Sequence, residues 1–287
     1  MTVEVVTPTT VREAVDIVRR SDGTAKFLSG GTALVLLVKM RMLSPDVLVS
    51  LRDVADLPGW HAIAVDDNAI RIGGGVTMSQ VAESATVRRM LPSLAHAASV
   101  VGNVRIRNCA TMGGAMAEAD YAADPPATLV SLDASVEVTD GERTRTVAVA
   151  EFITDFFTTT LEPEEVVSAV TVPIRSGDVR SQYVKFCSRS AEDRPCVGVA
   201  TSVMFEGSDA AALRVVIGAT SGRPQWFPEI TDQYIGGPLT ESAIDGIAGA
   251  YADAVDPVED IRGSAWYRRK MVDALVRRSL RELTGVE

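Results

Sequence analysis

Two short glycine segments, Ser29-Gly30-Gly31-Thr32 and Thr111-Met112-Gly113-Gly114, carry the clearest chemistry in this chain. Glycine lets backbone N–H groups turn toward a ligand with no Cβ in the way. Successive inward amides bind anions, and a helix beginning just after them adds a partial positive charge. Thr32 and Thr111 each bring a hydroxyl. Two such loops, with Asn108 and Asp124 close by in sequence, would share one pyrophosphate. Neither loop is a GxGxxG or a GxxxxGK[ST] fingerprint. A single Gly-Gly pair reads as readily as a tight turn, and Gly73-Gly74-Gly75 and Gly236-Gly237 are read that way.

Other site chemistry is sparse. Cys109, Cys187 and Cys196 form no CxxC pair, and His61 and His96 stand apart from them. That excludes a zinc or iron–sulfur cluster of ordinary ligand spacing, and three thiols imply no disulfide framework. No nucleophile–base arrangement is visible. The 287 residues carry 28 Lys+Arg against 38 Asp+Glu, a formal charge of -10. A surface for nucleic acid or anionic lipid is not expected from that balance; backbone dipoles, not cationic side chains, would hold a phosphate. Met1-Thr2-Val3-Glu4 does not read as a leader. The longest apolar run, Ala33 to Val38, is too short to span a membrane. A cytoplasmic protein with no integral membrane segment is expected.

The elements that must position the loops are legible. Thr10-Val11-Arg12-Glu13 has capping-box spacing and opens a helix with Ala14, Ile17 and Val18 on one face. Ala25 to Leu28 is a strand ending at the first glycine loop. Ala33 to Met40 reads as a buried helix, and Val47 to Leu51 as a buried strand. Ile63 to Val65 and Ala69 to Ile72 flank an Asp66-Asp67-Asn68 turn. Thr77-Met78-Ser79-Gln80 opens a helix through Ala85, and Leu94 to Val101 is a helix of small residues. The second glycine loop falls in an irregular stretch. Helix Ala127 to Leu132 and strands Ser135–Thr139, Thr144–Val149 and Val166–Val172 follow. Pro173 to Asp178 breaks the pattern. Beyond it come strands Gln182–Phe186, Gly198–Phe205 and Leu213–Ala219, then helices Glu241–Ala254 and Ser264–Leu283. The last helix is basic, with Arg268, Arg269, Lys270, Arg277, Arg278 and Arg281. That stripe is either a solvated face or a docking surface for an acidic partner.

One family matches these residues in order. Ile106-Arg107-Asn108-Cys109-Ala110-Thr111-Met112-Gly113-Gly114-Ala115, with Ala119-Asp120 and Ala123-Asp124-Pro125-Pro126-Ala127, resembles the "IRN-x-G-T-x-G-G-N … AD-x-A-A-D-x-P-A" signature of the FAD-binding medium subunit of molybdenum hydroxylases. Leu28-Ser29-Gly30-Gly31-Thr32-Ala33-Leu34 is similar to that family's "AGGTDL" loop. Tyr183-Val184-Lys185-Phe186, Arg189, Asp193, Pro195 and Val197-Gly198-Val199-Ala200 resemble the entry to its C-terminal domain. Trp266-Tyr267-Arg268-Arg269, running to Val276-Arg277-Arg278, resembles its closing helix.

The resemblance implies an α+β chain. A two-subdomain FAD-binding fold of the vanillyl-alcohol oxidase/MurB type, residues 1–57 and 58–175, would precede a small α+β C-terminal flavoprotein domain, 179–287. Carried over, Leu28, Ser29, Gly30, Gly31, Thr32, Ala33 and Leu34, with Thr111, Met112, Gly113, Gly114 and Ala115, become the FAD loops, and Asn108 flanks them. Asp124 matches an aspartate that accepts from flavin ribityl or ribose hydroxyls; by itself it would also cap the following helix. Lys185 matches a lysine near the flavin, or else is a solvated strand residue. Leu161 falls at an apolar contact. Ala33, Cys109-Ala110 and Ala115 depart from the family pattern, and each lost hydrogen bond would weaken FAD binding by about 1 kcal/mol.

The implied role is electron transfer through FAD. Electrons would come from a 2Fe-2S small subunit served by a molybdopterin-binding large subunit, commonly in a doubled heterotrimer. They would pass to NAD+, a quinone, a carrier protein or oxygen. A self-contained FAD oxidoreductase and a scaffold subunit that has lost FAD are the alternatives.

Overall fold

The computed structural model describes residues 3–66 and 68–286. Met1 and Thr2, read for a leader, Asp67 of the expected turn, and Glu287 at the end of the third range lie outside them. Three strands open the chain, β1 (Glu4–Val6), β2 (Ala25–Leu28) and β3 (Val47–Ser50), parallel in the order β1-β3-β2. Helix α1 (Val11–Arg20) links the first two and buries Val11, Ala14, Val15 and Val18, a helical stripe. Thr10 Oγ1 accepts from the Glu13 N–H at 3.2 Å. The Glu13 carboxylate accepts from the Thr9 N–H, one residue earlier than the capping box prescribes.

Helix α2 (Leu34–Lys39) differs from its expectation. It forms, but none of its residues is buried; Leu36 is 53% exposed, and Met40 and Met42 just beyond it are 60% and 65% exposed. The cluster around the first sheet is built from α1, β2, β3 and the chain through Trp60. No position in that cluster is left for α2.

Strands β4 (Ile63–Val65), β5 (Ala69–Gly73), β6 (Ser135–Thr139) and β7 (Thr144–Ala148) belong to a five-stranded sheet. Its order is β4-β5-β10-β6-β7, with β10 (Val166–Pro173) at the centre and every pair antiparallel. The small hairpin β8 (Ile153–Asp155) and β9 (Thr158–Thr159) stands apart. One face of the sheet is covered by helices, among α3 (Met78–Glu83), α4 (Ala85–Met90), α5 (Pro92–Ser99), α6 (Val104–Arg107), α7 (Met112–Glu118), α8 (Asp124–Ser131) and α9 (Val149–Phe152). The Thr77–Gln80 capping box is present. The helix expected to run through Ala85 breaks at Ser84, whose hydroxyl accepts from the Val87 N–H and starts α4.

The third sheet is antiparallel: β11 (Asp178–Phe186), β12 (Val197–Glu206), β13 (Asp209–Gly218) and β14 (Gln225–Trp226). Alternation assigns its faces. Tyr183, Ala200 and Val216 join the core shared with α5 and α8. Val184, Val199, Val215 and Ile217 join a second core with α11 (Glu241–Ala254) and α12 (Ala265–Thr284); α10 (Pro228–Thr231) precedes them. Helices α5 and α8 are therefore held between two sheets, and all eight residues of α8 are buried.

The arginines of the basic stripe of α12 resolve into internal pairs. Arg277 pairs with Asp245 and Asp273, Arg278 with Glu282, Arg281 with Glu241, and Arg269 with Asp256. Arg268 is fully buried, unlike the solvated residue the stripe implied.

Candidate functional site

The first glycine loop joins the end of β2 to the start of α2. Gly31 has φ +69°, a conformation that favours glycine. No acceptor for the N–H groups of Gly30, Gly31, Thr32 or Ala33 is found among the described residues, and the loop is half-buried. Four consecutive backbone donors without protein partners, at a helix start, are what an anionic group requires.

The second loop is ordered differently from its expected irregular form. Thr111 is the N-cap of α7, and its hydroxyl accepts from the Gly114 N–H at 3.2 Å. The Met112 N–H donates to the Val76 carbonyl and the Gly113 N–H to the Gly74 carbonyl. The Ala115 N–H donates to the Thr111 carbonyl. The amides of this loop are engaged within the protein, so its free contribution is side chain and shape. A Cβ on Gly30 would lie 2.0 Å from the Cys109 carbonyl oxygen: the two loops touch backbone to backbone. The Ser29 and Thr111 hydroxyls meet at 2.9 Å.

Gly73-Gly74-Gly75 does more than turn. A Cβ on Gly74 would fall 2.2 Å from the Val167 carbonyl oxygen and 2.4 Å from the Trp60 ring, and one on Gly113 would approach Gly74 at 2.9 Å. The triplet lets Trp60, β10 and α7 close together beneath the second loop. Gly237 has no such neighbours.

Asp124 and Lys185 come together. Asp124 is 4% exposed, in the first turn of α8. It is not the N-cap, which is Ala123. The Tyr183 hydroxyl donates to its Oδ1 at 2.8 Å, and Lys185 Nζ donates to Oδ2 at 3.1 Å and to the Val100 carbonyl at 2.7 Å. Burial pushes the Asp124 carboxyl up to about 6, against the pull of the Lys185 charge and the Tyr183 hydroxyl. Burial and the neighbouring carboxylate push the Tyr183 phenol well above its ordinary value, so it stays a donor. Lys185 is thus a buried partner and not a solvated strand residue. A carboxylate has further lone pairs beyond these two bonds.

The remaining candidates are peripheral. Asn108 is exposed, and its side-chain oxygen accepts from the Ser79 hydroxyl at 2.5 Å. Leu161 is half-buried against the core of the five-stranded sheet, as is Ala115. Ala33 is the N-cap of α2 and offers no side-chain bond there. Tyr183 was missed as a site residue. The available signal was Tyr-x-Lys at strand period, which places Tyr183 and Lys185 on one face. A second junction lies nearby. The Tyr121 hydroxyl donates to Asp260 at 2.6 Å, and buried Arg268 donates to the same carboxylate at 2.6 Å.

An anion-ready loop at a helix start, a second loop braced against it, and a buried carboxylate with lone pairs to spare define a binding protein for a phosphate-bearing ligand, the class to which nucleotide cofactors belong. Comparison with known proteins is specific. Residues 1–175 match the family described as FAD binding domain in molybdopterin dehydrogenase. Residues 182–283 match the CO dehydrogenase flavoprotein C-terminal domain. The chain is 28% identical to the glyceraldehyde dehydrogenase medium chain of Sulfolobus acidocaldarius, covering 95% of both chains. It is 31% identical to the alpha subunit of the 6-hydroxypseudooxynicotine dehydrogenase complex of Paenarthrobacter nicotinovorans, over 94% of this chain and 90% of that one. The solved carbon monoxide dehydrogenase of Hydrogenophaga pseudoflava contains a chain that superposes with a TM-score of 0.93 at 26% identity, covering 99% of this chain and 98% of that one. The chain belongs to the FAD-binding medium subunits of the molybdenum hydroxylase family. Its cofactor is FAD, and it is an oxidoreductase component. No helix among the described residues is long and apolar enough to cross a membrane.

Proposed function

We propose that this chain relays electrons through FAD, from a 2Fe-2S small subunit served by a molybdopterin-binding large subunit to an external acceptor. The observation that carries the reading is the run of unpartnered amides from Gly30 to Ala33, braced by the Thr111 loop. These amides would hold the pyrophosphate, and Asp124 would accept from sugar or ribityl hydroxyls. Subdomains 1–57 and 58–175 would carry the two loops, with 179–287 closing over them. Bound FAD accepts electrons singly and releases them as a pair. The residues here bind, orient and exclude water; no side chain need act as a nucleophile. The substrate would be oxidised on the large subunit, and two copies of each subunit would assemble.

A partner contact beside the cofactor loop is supported by the exposed apolar side chains of Val35, Leu36, Met40 and Met42. Purifying the tagged chain from its own cells tests the proposal. Molybdenum, iron and two further polypeptides are expected to co-purify, and on adding a reducing substrate of the large subunit, screened among aldehydes, purines and N-heterocycles, the flavin colour is expected to bleach only when those partners are present. Full turnover by the isolated chain would overturn it in favour of a self-contained oxidoreductase.

A further inference from the structure

Asp124 and the residues that hold it belong to different parts of the chain. The carboxylate is at the start of α8, beneath the FAD-binding sheet, whereas Tyr183 and Lys185 project from β11, the edge strand of the C-terminal sheet. Both donors reach across the junction at ordinary hydrogen-bond length, 2.8 and 3.1 Å, and Lys185 also ties down the end of α5 through the Val100 carbonyl. Tyr183 is 3% exposed. A phenol that deep, with its single proton committed to one carboxylate oxygen, costs desolvation that only the bond offsets. Packing alone would be served as well by phenylalanine.

We propose that Tyr183 is a positioning residue for the cofactor: with Lys185 it fixes the Asp124 carboxylate at the domain junction, so FAD affinity depends on a strand outside the FAD-binding domain. The inference rests on the flavin reading above and deepens it. Among the described residues the Tyr183 hydroxyl bonds to Asp124 and to neither glycine loop; it acts through Asp124, setting which carboxylate oxygens remain free and in which direction.

The other charged and titratable groups near Asp124 leave this pairing intact. On α5, His96 has its ring centroid 6.4 Å from that of Tyr183; burial first, then the Lys185 charge, lowers its pKa. Asp120, in the turn before α8, is paired with Arg194. Cys187 follows β11, its thiol pushed up mainly by burial. Arg214, from β13, reaches only the far end of α8 at the Val130 carbonyl.

The test is FAD titration of the full chain, followed by flavin fluorescence from pH 5 to 8, with thermal melting to verify folding. The native chain is expected to hold constant affinity above pH 7 and to weaken below about pH 6 as Asp124 takes a proton. Tyr183→Phe should start to weaken at higher pH and bind roughly tenfold less tightly at pH 6, the worth of one hydrogen bond to a charged group. Lys185→Gln should move the onset in the same direction, and it serves if Tyr183→Phe does not fold. Asp124→Asn should lose the pH dependence in this range. Folded Tyr183→Phe with the native affinity and onset, or Asp124→Asn with the native profile, would overturn the proposal while leaving the flavin reading intact. A native chain that binds no FAD at any pH would instead remove the flavin reading, and the proposal with it.

Discussion

The Ser29 and Thr111 hydroxyls lie 2.9 Å apart, although one ends a strand of the first sheet and the other caps a helix under the second. This contact, with the Gly30–Cys109 backbone contact beside it, joins the first sheet to the second glycine loop at the proposed pyrophosphate site. Thr111→Ala should cost about 1 kcal/mol as a lost N-cap and should also free Ser29, so FAD affinity falls together with melting temperature. Thr111→Ser should restore both. Differential scanning calorimetry beside FAD titration checks this; an alanine variant that melts lower but binds FAD at the native affinity would mean the contact is structural only.

Gly30→Ala should be among the most damaging single-methyl additions to the chain. Its new carbon would fall 2.0 Å from the Cys109 carbonyl oxygen, a backbone atom that cannot swing aside. Overpacking of this kind costs about 1–3 kcal/mol, and separating the loops should abolish FAD binding. Gly237→Ala, with nothing within 4 Å, should change stability by no more than about 0.5 kcal/mol. Urea midpoints of the two variants give the comparison, and equal midpoints would contradict it.

Half-buried Asp260 and buried Asp124 should give opposite pH signs. Burial raises Asp260, but the Tyr121 hydroxyl, the Arg262 N–H and the charges of Arg268 and Arg262 outweigh it and hold it well below the usual carboxylate range. Its stabilisation is present above the unfolded value, near 4, and is lost in stronger acid. Asp124 is raised to about 6, so its contribution to stability without FAD declines as pH rises from near 4 to about 6. Denaturation from pH 2 to 7 should therefore show a shallower acid limb in Asp260→Asn. In Asp124→Asn, stability between pH 4 and 6 should hold up better than in the native chain.

Arg268 is the largest fully buried side chain, bonded to Asp260 and to the Ala219 carbonyl. Arg268→Ala should remove one of several partners of Asp260, which keeps Tyr121 and Arg262, and leave the Ala219 carbonyl unpaired, at a cost of about 1–3 kcal/mol. Thermal melting of single and double Arg268/Asp260 variants would show coupling; additive losses would contradict it.

The periodic parts of this fold were readable from sequence. Ala25–Leu28, Ser135–Thr139 and Glu241–Ala254 form at their expected bounds, because alternation or capping marks both ends. Helix α2 was placed but wrongly buried: an apolar run reports preference, while exposure depends on what else fills the sheet face. The first glycine loop was legible because strand, glycine pair and helix are adjacent. The engagement of the second loop was not, because its partners Val76 and Gly74 are held by tertiary pairing. Nor was Tyr183 legible as Asp124's partner, since the two are 59 residues apart and meet only when the third sheet docks on α8.

The central claim, that the Gly30 to Ala33 loop holds the pyrophosphate of FAD, is tested most directly by titrating the purified full chain with FAD and then displacing it with ADP, followed by flavin fluorescence. The account predicts one FAD per chain and competitive displacement by ADP, which carries the same pyrophosphate, with riboflavin failing to compete at equal concentration. A folded chain that takes up no FAD, or one from which riboflavin displaces FAD as well as ADP does, would contradict it.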